Sequence, residues 1–313
     1  MKLSIIIPVF NEAEVIQTTH RRLSSLTGEM TREKVIDDYE IIYVDDGSKD
    51  GSLNILKIFS MESPRIKVLS FSRNFGHQPA LAAGLLHSSG DAVVSLDADL
   101  QDPPELIGEM LEKLKNGKDI VYAVRRERSA DSLFKRWTAQ LFYKVMQFMG
   151  VDVIYDHADY RMISRKVVEE FKKIKEFNLF LRGIFPFMGF KNEIVYYERQ
   201  KRHAGETKYP LRKMVAFAWE GITSFSSVPL RIASTAGFII SLGSICLIFW
   251  ALYIKIKGET VPGWASIVIP LFFIGGLNML FLGLIGEYIG KIYLEVKKRP
   301  LFIIKEKYNI TGD

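Results

Sequence analysis

The sequence predicts an α/β fold, a doubly wound parallel sheet followed by a pair of membrane-spanning helices, from three observations. Short apolar, β-branched runs alternate with amphipathic stretches through the first 125 residues. Polar clusters stand at the C-terminal end of successive runs. Two uncharged segments, Ile232 to Ile254 and Thr260 to Gly286, follow near the C-terminus.

The strand runs are Leu3 to Val9, Tyr39 to Val44, Ile66 to Phe71, Ala92 to Leu96 and Ile120 to Ala123. They are nearly continuously apolar, as strands are when helices cover both faces of a parallel sheet. Ligands in such sheets bind beyond the carboxyl ends of the strands, where the polar clusters fall. After the first strand comes Pro8-Val9-Phe10-Asn11-Glu12, with Glu12 expected in the first helical turn. There its carboxylate can offset the helix dipole or bond a ribose hydroxyl. After the second comes Asp45-Asp46-Gly47-Ser48, a good turn and cap in its own right. Arg73-Asn74-Phe75-Gly76-His77 follows the third, and Asp97 to Asp102 the fourth.

The fourth cluster is the most informative. If the strand continues through Asp97 and Asp99, the two side chains share a face and can bind one hard cation, which would bridge a diphosphate. The alternative is a polar strand end with Asp102-Pro103-Pro104 opening an ordinary helix. The histidines His77, His157 and His203 have no chelating spacing and are read as non-ligands.

Ser132 to Met149 reads as a helix mixing Lys135, Arg136, Trp137, Phe142 and Tyr143, suited to a membrane surface or to a packed helix with solvated bases. Pro210 to Phe225 reads as an interfacial helix. Each uncharged segment beyond it is long enough to cross a hydrocarbon core of about 30 Å. Arg212, Lys213 and Arg231 precede the first span, and Lys291, Lys297, Lys298, Arg299, Lys305 and Lys307 follow the second. The loop between holds only Lys255, Lys257 and Glu259, so both termini are expected on the cytoplasmic side. No signal-peptide pattern stands at the N-terminus. The net charge of +6 is explained by these membrane-proximal bases, and no nucleic-acid motif accompanies it. The one cysteine, Cys246, lies in a predicted span, which excludes an intrachain disulfide and a cysteine-rich metal site. The expected organisation is 1–209 catalytic domain, 210–229 interfacial segment, 230–290 two spans and 291–313 basic cytoplasmic tail.

Together and in this order, the clusters resemble family 2 glycosyltransferases of GT-A (Rossmann-like) fold, which show P-x-x-N-E, D-D-G-S and D-x-D on successive strand ends. The resemblance covers roughly the first 210 residues. With Asp97-Ala98-Asp99-Leu100-Gln101-Asp102-Pro103-Pro104-Glu105, Asp159-Tyr160-Arg161 and Arg202 to Tyr209, it is closest to the polyprenyl-phosphate branch. That branch includes dolichyl-phosphate mannose synthase and bactoprenol glucosyltransferases. The two spans and Arg299-Pro300-Leu301-Phe302 are most similar to the bactoprenol type.

The resemblance implies an enzyme that moves one sugar, with inversion, from a nucleotide sugar to polyprenyl (undecaprenyl) phosphate. UDP-glucose is the expected donor, with GDP-mannose or a UDP-amino sugar as alternatives. It implies Mg²⁺ or Mn²⁺ held by Asp97, Asp99 and Gln101, and a donor site from Pro8, Asn11, Glu12, Asp45, Asp46, Asp97 and Ala98. Acceptor-phosphate contacts fall on Arg125, Arg136, Arg202 and Lys208, each of which alone could be a solvated surface base. Asp159, beside the acceptor as base or orienter, completes a catalytic set with Asp97 and Asp99; Asp156 is its nearby rival. The implied partners are a nucleotide sugar, a polyprenyl phosphate and the membrane, and a homo-oligomer is compatible with the sequence. A processive polysaccharide synthase would carry Q-x-x-R-W, but Leu133 stands where glutamine should be. A membrane-tethered nucleotide-sugar sensor would not need the residues that stabilise a leaving group.

Overall fold

The computed structural model describes residues 1–125, 149, 157–176, 179–198, 222–223, 226–257 and 263–310. Its sheet is built from β1 (Lys2–Val9), β2 (Asp38–Asp45), β3 (Ile66–Phe71), β4 (Ala92–Ser95), β5 (Ile120–Arg125), β6 (His157–Ser164), β7 (Asn192–Tyr197) and β8 (Ile304–Tyr308). The order is β7-β5-β6-β4-β1-β2-β3-β8. Strands β3, β2, β1 and β4 run parallel, as the apolar runs predict. The fifth predicted strand is present but does not join β4. The antiparallel β6 stands between them. Its Asp159 and Arg161 interrupt the apolar pattern that marks the other strands, so periodicity did not reveal it.

Helices cover both faces. On one face α1 (Ile16–Arg32), α2 (Ser52–Glu62) and α4 (Leu106–Lys115) bury Ile16, Leu23, Leu56, Ile107 and Leu111 against Ile5, Ile7, Ile41, Tyr43 and Val94. The spacing of buried Ile16, Thr19, Leu23, Thr27 and Met30 is that of one helical face. On the other face α3 (His77–His87) packs Ala80 and Ala83 on Ile42, Val44, Leu69 and Phe71. Small residues let this helix lie close: a Cβ on Gly84 would meet Ile6 Cγ2 at 2.2 Å. The short α5 (Arg165–Phe171) and α6 (Leu181–Phe187) follow β6.

The segment expected to be a cytoplasmic tail divides differently. Residues 291–296 continue a helix, and Ile304–Tyr308 form β8, antiparallel to β3. Ser72 N donates to the Ile303 carbonyl at 2.9 Å, Phe302 stacks on Phe71 at 5.0 Å, and Lys57 pairs with Glu306 at 2.7 Å. Asn309, at φ 55°, donates through Nδ2 to the carbonyls of Ser60, Ser63 and Ile66. An otherwise open β3 edge is thereby covered. Its alternating half-buried and exposed residues lack the apolar signature of a central strand, which hides β8 from sequence.

The chain divides into two compact units, one containing the sheet with β8, the other containing α7 (Val228–Ile256) and α8 (Trp264–Val296). These helices of 29 and 33 residues touch each other and expose Phe238, Leu247, Phe249, Trp250, Leu271 and Phe273. Val228–Leu247 and Phe273–Val296 are long and apolar enough to cross a membrane. Within this unit Tyr288 Oη donates to the Ser226 carbonyl and Lys291 Nζ to Thr223 Oγ1, both at 2.6 Å.

Candidate active site

The rim begins where β1 and β2 end side by side, Val9 opposite Asp45. Pro8 is buried on β1. Asn11 adopts φ 56°, a left-handed conformation that asparagine tolerates better than most residues. Its N–H donates to Ser48 Oγ at 3.0 Å and its Oδ1 accepts from Lys49 N at 2.8 Å. Glu12 N donates to Ser52 Oγ at 2.9 Å. Its carbonyl accepts from Val15 and Ile16, so Glu12 lies in the turn before α1 rather than in the first helical turn.

Asp45 and Asp46 are buried and stitch loops together. Asp45 accepts from Ser48 N at 3.2 Å and from Ser70 Oγ at 2.9 Å. Asp46 accepts from Phe75 N at 2.6 Å and Gly76 N at 2.9 Å, which fixes the Arg73–Gly76 loop. Burial pushes the Asp46 carboxyl above its ordinary range against the pull of those two amides, with Asp45 adding to the rise. Gly47, at φ 69°, lies where a Cβ would come within 2.5 Å of the Arg73 carbonyl carbon; no side chain fits.

β4 stops at Ser95, so Asp97 and Asp99 do not share a strand face. They lie on a turn instead, shaped by Leu100 at φ 55° and by Gln101 N donating to Asp99 Oδ1 at 3.1 Å. A left-handed leucine costs about 1–3 kcal/mol and persists only where its surroundings impose it. Here they do. Thr19 Oγ1 donates to the Ala98 carbonyl at 2.6 Å, and Tyr160 Oη to the Pro103 carbonyl at 3.0 Å. Tyr197 Oη donates to Asp102, and Arg22 forks onto Glu105 with two contacts of 2.8 Å. The Ala98 carbonyl is therefore turned to α1.

The antiparallel register sets Ser95 opposite Arg161, and continued two residues it brings residue 97 opposite residue 159. Asp159 Oδ1 accepts from Arg161 Nη2 at 2.5 Å and Arg182 Nε at 3.2 Å; Oδ2 accepts from Arg182 Nη2 at 3.1 Å. His77 Nε2 lies 3.4 Å from Asp159 Oδ2 and 3.7 Å from Asp97 Oδ1. Burial alone would raise the Asp159 pKa, but His77, Arg182 and Arg161 hold it well below the carboxylate range. These three partners favour its charged form and fix its orientation. His77 moves the other way: burial opposes its charge, yet Asp159 and Asp97 raise its pKa.

Asp97 keeps 38% of its side-chain surface accessible although protein atoms crowd it closely. Desolvation pushes its pKa up to about 6, against His77 and reinforced by Asp102, Asp159 and Asp99. Gln101 Oε1 is buried and meets no hydrogen-bond donor among the described residues. An orphaned acceptor beside a surplus of carboxylates is what a hard cation with oxygen ligands would complete. Among the described residues no three His, Cys, Asp or Glu side chains form a closed metal cage, so such an ion would take further ligands from substrate. The residues fit a divalent ion.

Of the expected acceptor bases, Arg125 ends β5 opposite Tyr197; Arg136, Arg202 and Lys208 lie outside the described residues, as do Asp156 and residues 132–148 of the expected basic helix. Sequence reasoning passed over Arg182 and set His77 aside. The available signal for Arg182 was its lone charge within the apolar run from Phe177 to Phe190.

The chain belongs to glycosyl transferase family 2, whose model matches residues 4–172, and the protein is a glycosyltransferase with a GT-A-like sheet. It is 46% identical to the uncharacterized glycosyltransferase YkcC of Bacillus subtilis (strain 168), covering 100% of this chain and 96% of that one. It is 42% identical to the prophage bactoprenol glucosyl transferase homolog of Escherichia coli (strain K12), over 97% of this chain and 99% of the other. The SfII prophage-derived bactoprenol glucosyl transferase of Shigella flexneri matches at 41% over 98% and 99%. Among solved structures, the chain is similar to glucosyl-3-phosphoglycerate synthase from Mycobacterium tuberculosis at 21% identity and TM-score 0.47, covering 71% of this chain and 77% of that one.

Proposed function

We propose that this glycosyltransferase moves one glucose, with inversion, from UDP-glucose to undecaprenyl phosphate at the cytoplasmic face of the membrane. The observation that carries the reading is the state of Asp159, a carboxylate locked to Arg161, Arg182 and His77 opposite Asp97. A carboxylate paired in this way is a weak base, which suits an acceptor that needs none, and a phosphate monoester, with a second pKa of about 6, is already ionised near neutrality. The bactoprenol glucosyl transferase names of the relatives point to the same lipid and sugar.

Pro8, Asn11, Glu12, Asp45, Asp46 and Ala98 belong to the donor side in this reading, Asp45 and Asp46 chiefly by holding its loops. Asp97, Asp99 and Gln101 would hold Mg²⁺ or Mn²⁺, which when bound supplies positive charge to the leaving diphosphate. An acceptor phosphate oxygen attacks the anomeric carbon from the face opposite UDP. The new carbon–oxygen bond forms as the bond to the β-phosphate oxygen breaks, and the electron pair leaves on UDP. Arg125, Arg136, Arg202 and Lys208 are assigned to phosphate oxygens along this path.

A hairpin topology accompanies the reading. Because residues 304–308 pair with β3, a chain that leaves the sheet unit through α7 must return to it after α8. If both helices cross the bilayer, both ends of the pair lie on one face, and the flanking bases assign the cytoplasm. Membranes containing the protein, incubated with radiolabelled UDP-glucose, GDP-mannose and UDP-amino sugars plus undecaprenyl phosphate, should label lipid from UDP-glucose. Labelling from another donor only would replace glucose in this reading. Reporter fusions at Met1 and Asp313 that reported opposite faces would refute the hairpin.

A further inference from the structure

The donor half of the rim is sewn outward, one strand end to the next. Asn11, after β1, bonds Ser48 and Lys49. The turn after β2 in its turn holds the loop after β3: Asp46 accepts from Phe75 N and Gly76 N, and Gly47 lies against the Arg73 backbone. That loop has a further neighbour on its outer side. Ser72 N donates to the Ile303 carbonyl at 2.9 Å, which carries the β3–β8 pairing one residue past the end of β3.

The outer neighbour does more than cover an edge. Phe302 precedes β8 and stacks on Phe71, with ring centres 5.0 Å apart and planes 8° from parallel. Phe71 meets Phe75 edge to face at 5.7 Å, and the Arg73 guanidinium lies 4.1 Å from the Phe75 ring centre. Phe75 and Phe302 both pack on the buried cluster that holds Leu69, Phe71 and Ala80. The β3–β8 register shifts between Ser70 and Phe71, at this end of the pair, and such irregularities re-aim side chains beside functional sites. Residues 72–76 form neither helix nor strand, so these contacts and those to Asp46 set their course.

We propose that Phe302 is a positioning residue for nucleotide binding: through Phe71 and Phe75 it holds the Arg73–Gly76 loop in the course that the donor site needs. The assignment rests on the glycosyl-transfer reading above. The segment after α8 thereby belongs to the donor half. Aromatic rings suit the task because stacked and edge-to-face pairs have a preferred geometry, which an aliphatic side chain does not reproduce. A loop that spends only part of its time in the binding conformation weakens apparent affinity by that fraction, so the loss should fall on the nucleotide and not on the lipid.

The test uses the full-length protein in nanodiscs, comparing wild type with Phe302→Ala, Phe302→Leu, Phe302→Tyr and Asn309→Ala. Asn309 anchors the opposite end of β8, on the carbonyls of Ser60, Ser63 and Ile66 away from the rim. UDP affinity with Mn²⁺ is measured by calorimetry, and by the same method with GDP should GDP bind in place of UDP. Amide exchange is followed over residues 72–76, KM separately for UDP-glucose and undecaprenyl phosphate, and folding by thermal unfolding. Phe302→Ala should weaken UDP binding about three- to tenfold and speed exchange at Phe75 and Gly76, while KM for the lipid stays within about twofold. Phe302→Leu should follow it by less, and Phe302→Tyr should keep most of the wild-type affinity. Asn309→Ala should lower the unfolding midpoint with nucleotide affinity unchanged. Unchanged nucleotide affinity in Phe302→Ala would overturn the assignment, as would an equal loss in Asn309→Ala, which would reduce β8 to a stabilising strand. Should Phe302→Ala fail to fold, wild-type affinity in Phe302→Leu would be decisive against it. Wild type that binds neither UDP nor GDP would instead sink the transfer reading. Exchange then still judges the positioning: faster exchange at Phe75 and Gly76 in the Phe302 variants than in Asn309→Ala supports it, and equal exchange rejects it.

Discussion

At the carboxyl ends of β1 and β2, the carboxylates of Asp45 and Asp46 accept hydrogen bonds from backbone amides and a serine, whereas across the metal-loop candidate Asp159 accepts from two arginines and a histidine. All three are buried, yet Asp46 titrates above the ordinary range and Asp159 far below it. Neutral donors can orient a carboxylate without fully compensating its desolvation; full positive charges can do both. One half of the rim is thus a set of loops sewn to their neighbours. The other is an electrostatic cluster gathered from β6, α3 and α6.

The largest effect should come from the loop between the halves. Asp99→Ala is expected to lower transfer by about a hundredfold or more, with the protein still folded and membrane-inserted, and excess chelator should reproduce the loss. A mutant of full activity, or a wild type indifferent to EDTA, would remove the metal from the reading.

Asp159→Ala breaks the comparison at its charged end. It removes the carboxylate paired with Arg161, which is 3% exposed, and breaking a buried pair of this kind costs about 3–5 kcal/mol. Thermal unfolding should show a large fall in midpoint. A change no greater than that of Asp46→Asn would mean that the two halves are not built differently after all.

Glu40 supplies a carboxylate remote from the rim that combines both modes. It is 1% exposed and accepts from Lys67 Nζ, Ser4 Oγ, and Ser89 N and Oγ. Desolvation would raise its pKa, but these partners bring it down to about 2. Since the folded value lies below the ordinary one of 4.5, the stabilisation is complete above that ordinary pKa and fades as pH falls towards about 2. The contribution is about 3 kcal/mol. Denaturant unfolding from pH 7 to 3 should show the gap between wild type and Glu40→Gln narrowing with acid; a gap that widens would reverse the sign.

The smallest expected effect tests the sewn half. Gly47→Ala introduces a Cβ against the Arg73 backbone at φ 69° and should cost about 1–3 kcal/mol. Hydrogen exchange should rise locally in the Arg73–Gly76 amides. Uniform exchange across the sheet would argue that this loop is not held separately.

The legibility of the two halves differs for a physical reason. Pro8 to Glu12 and Asp45 to Ser48 follow apolar strand runs directly, and their partners lie in adjacent strand-end loops, so motif and period locate them together. His77 and Arg182 meet Asp159 from positions 82 residues before and 23 residues after it. No local pattern encodes such a meeting. The same holds for β6, inserted between β4 and β5, and for β8 at the β3 edge, whose residues lack the continuous apolar runs by which the other strands are read.

By itself, then, the sequence determined the four strands of the parallel core, the order of the strand-end clusters along the chain, the glycosyltransferase family and the two long apolar helices, because each is written in local period, composition or contiguous motif. Only the tertiary structure decided that Asp97 and Asp99 sit on a strained turn, that Asp159 is paired with two arginines and a histidine, and that the C-terminal residues close the β3 edge. Those outcomes depend on register and on charge pairs between distant segments, and such contacts exist only once the backbone has brought the segments together.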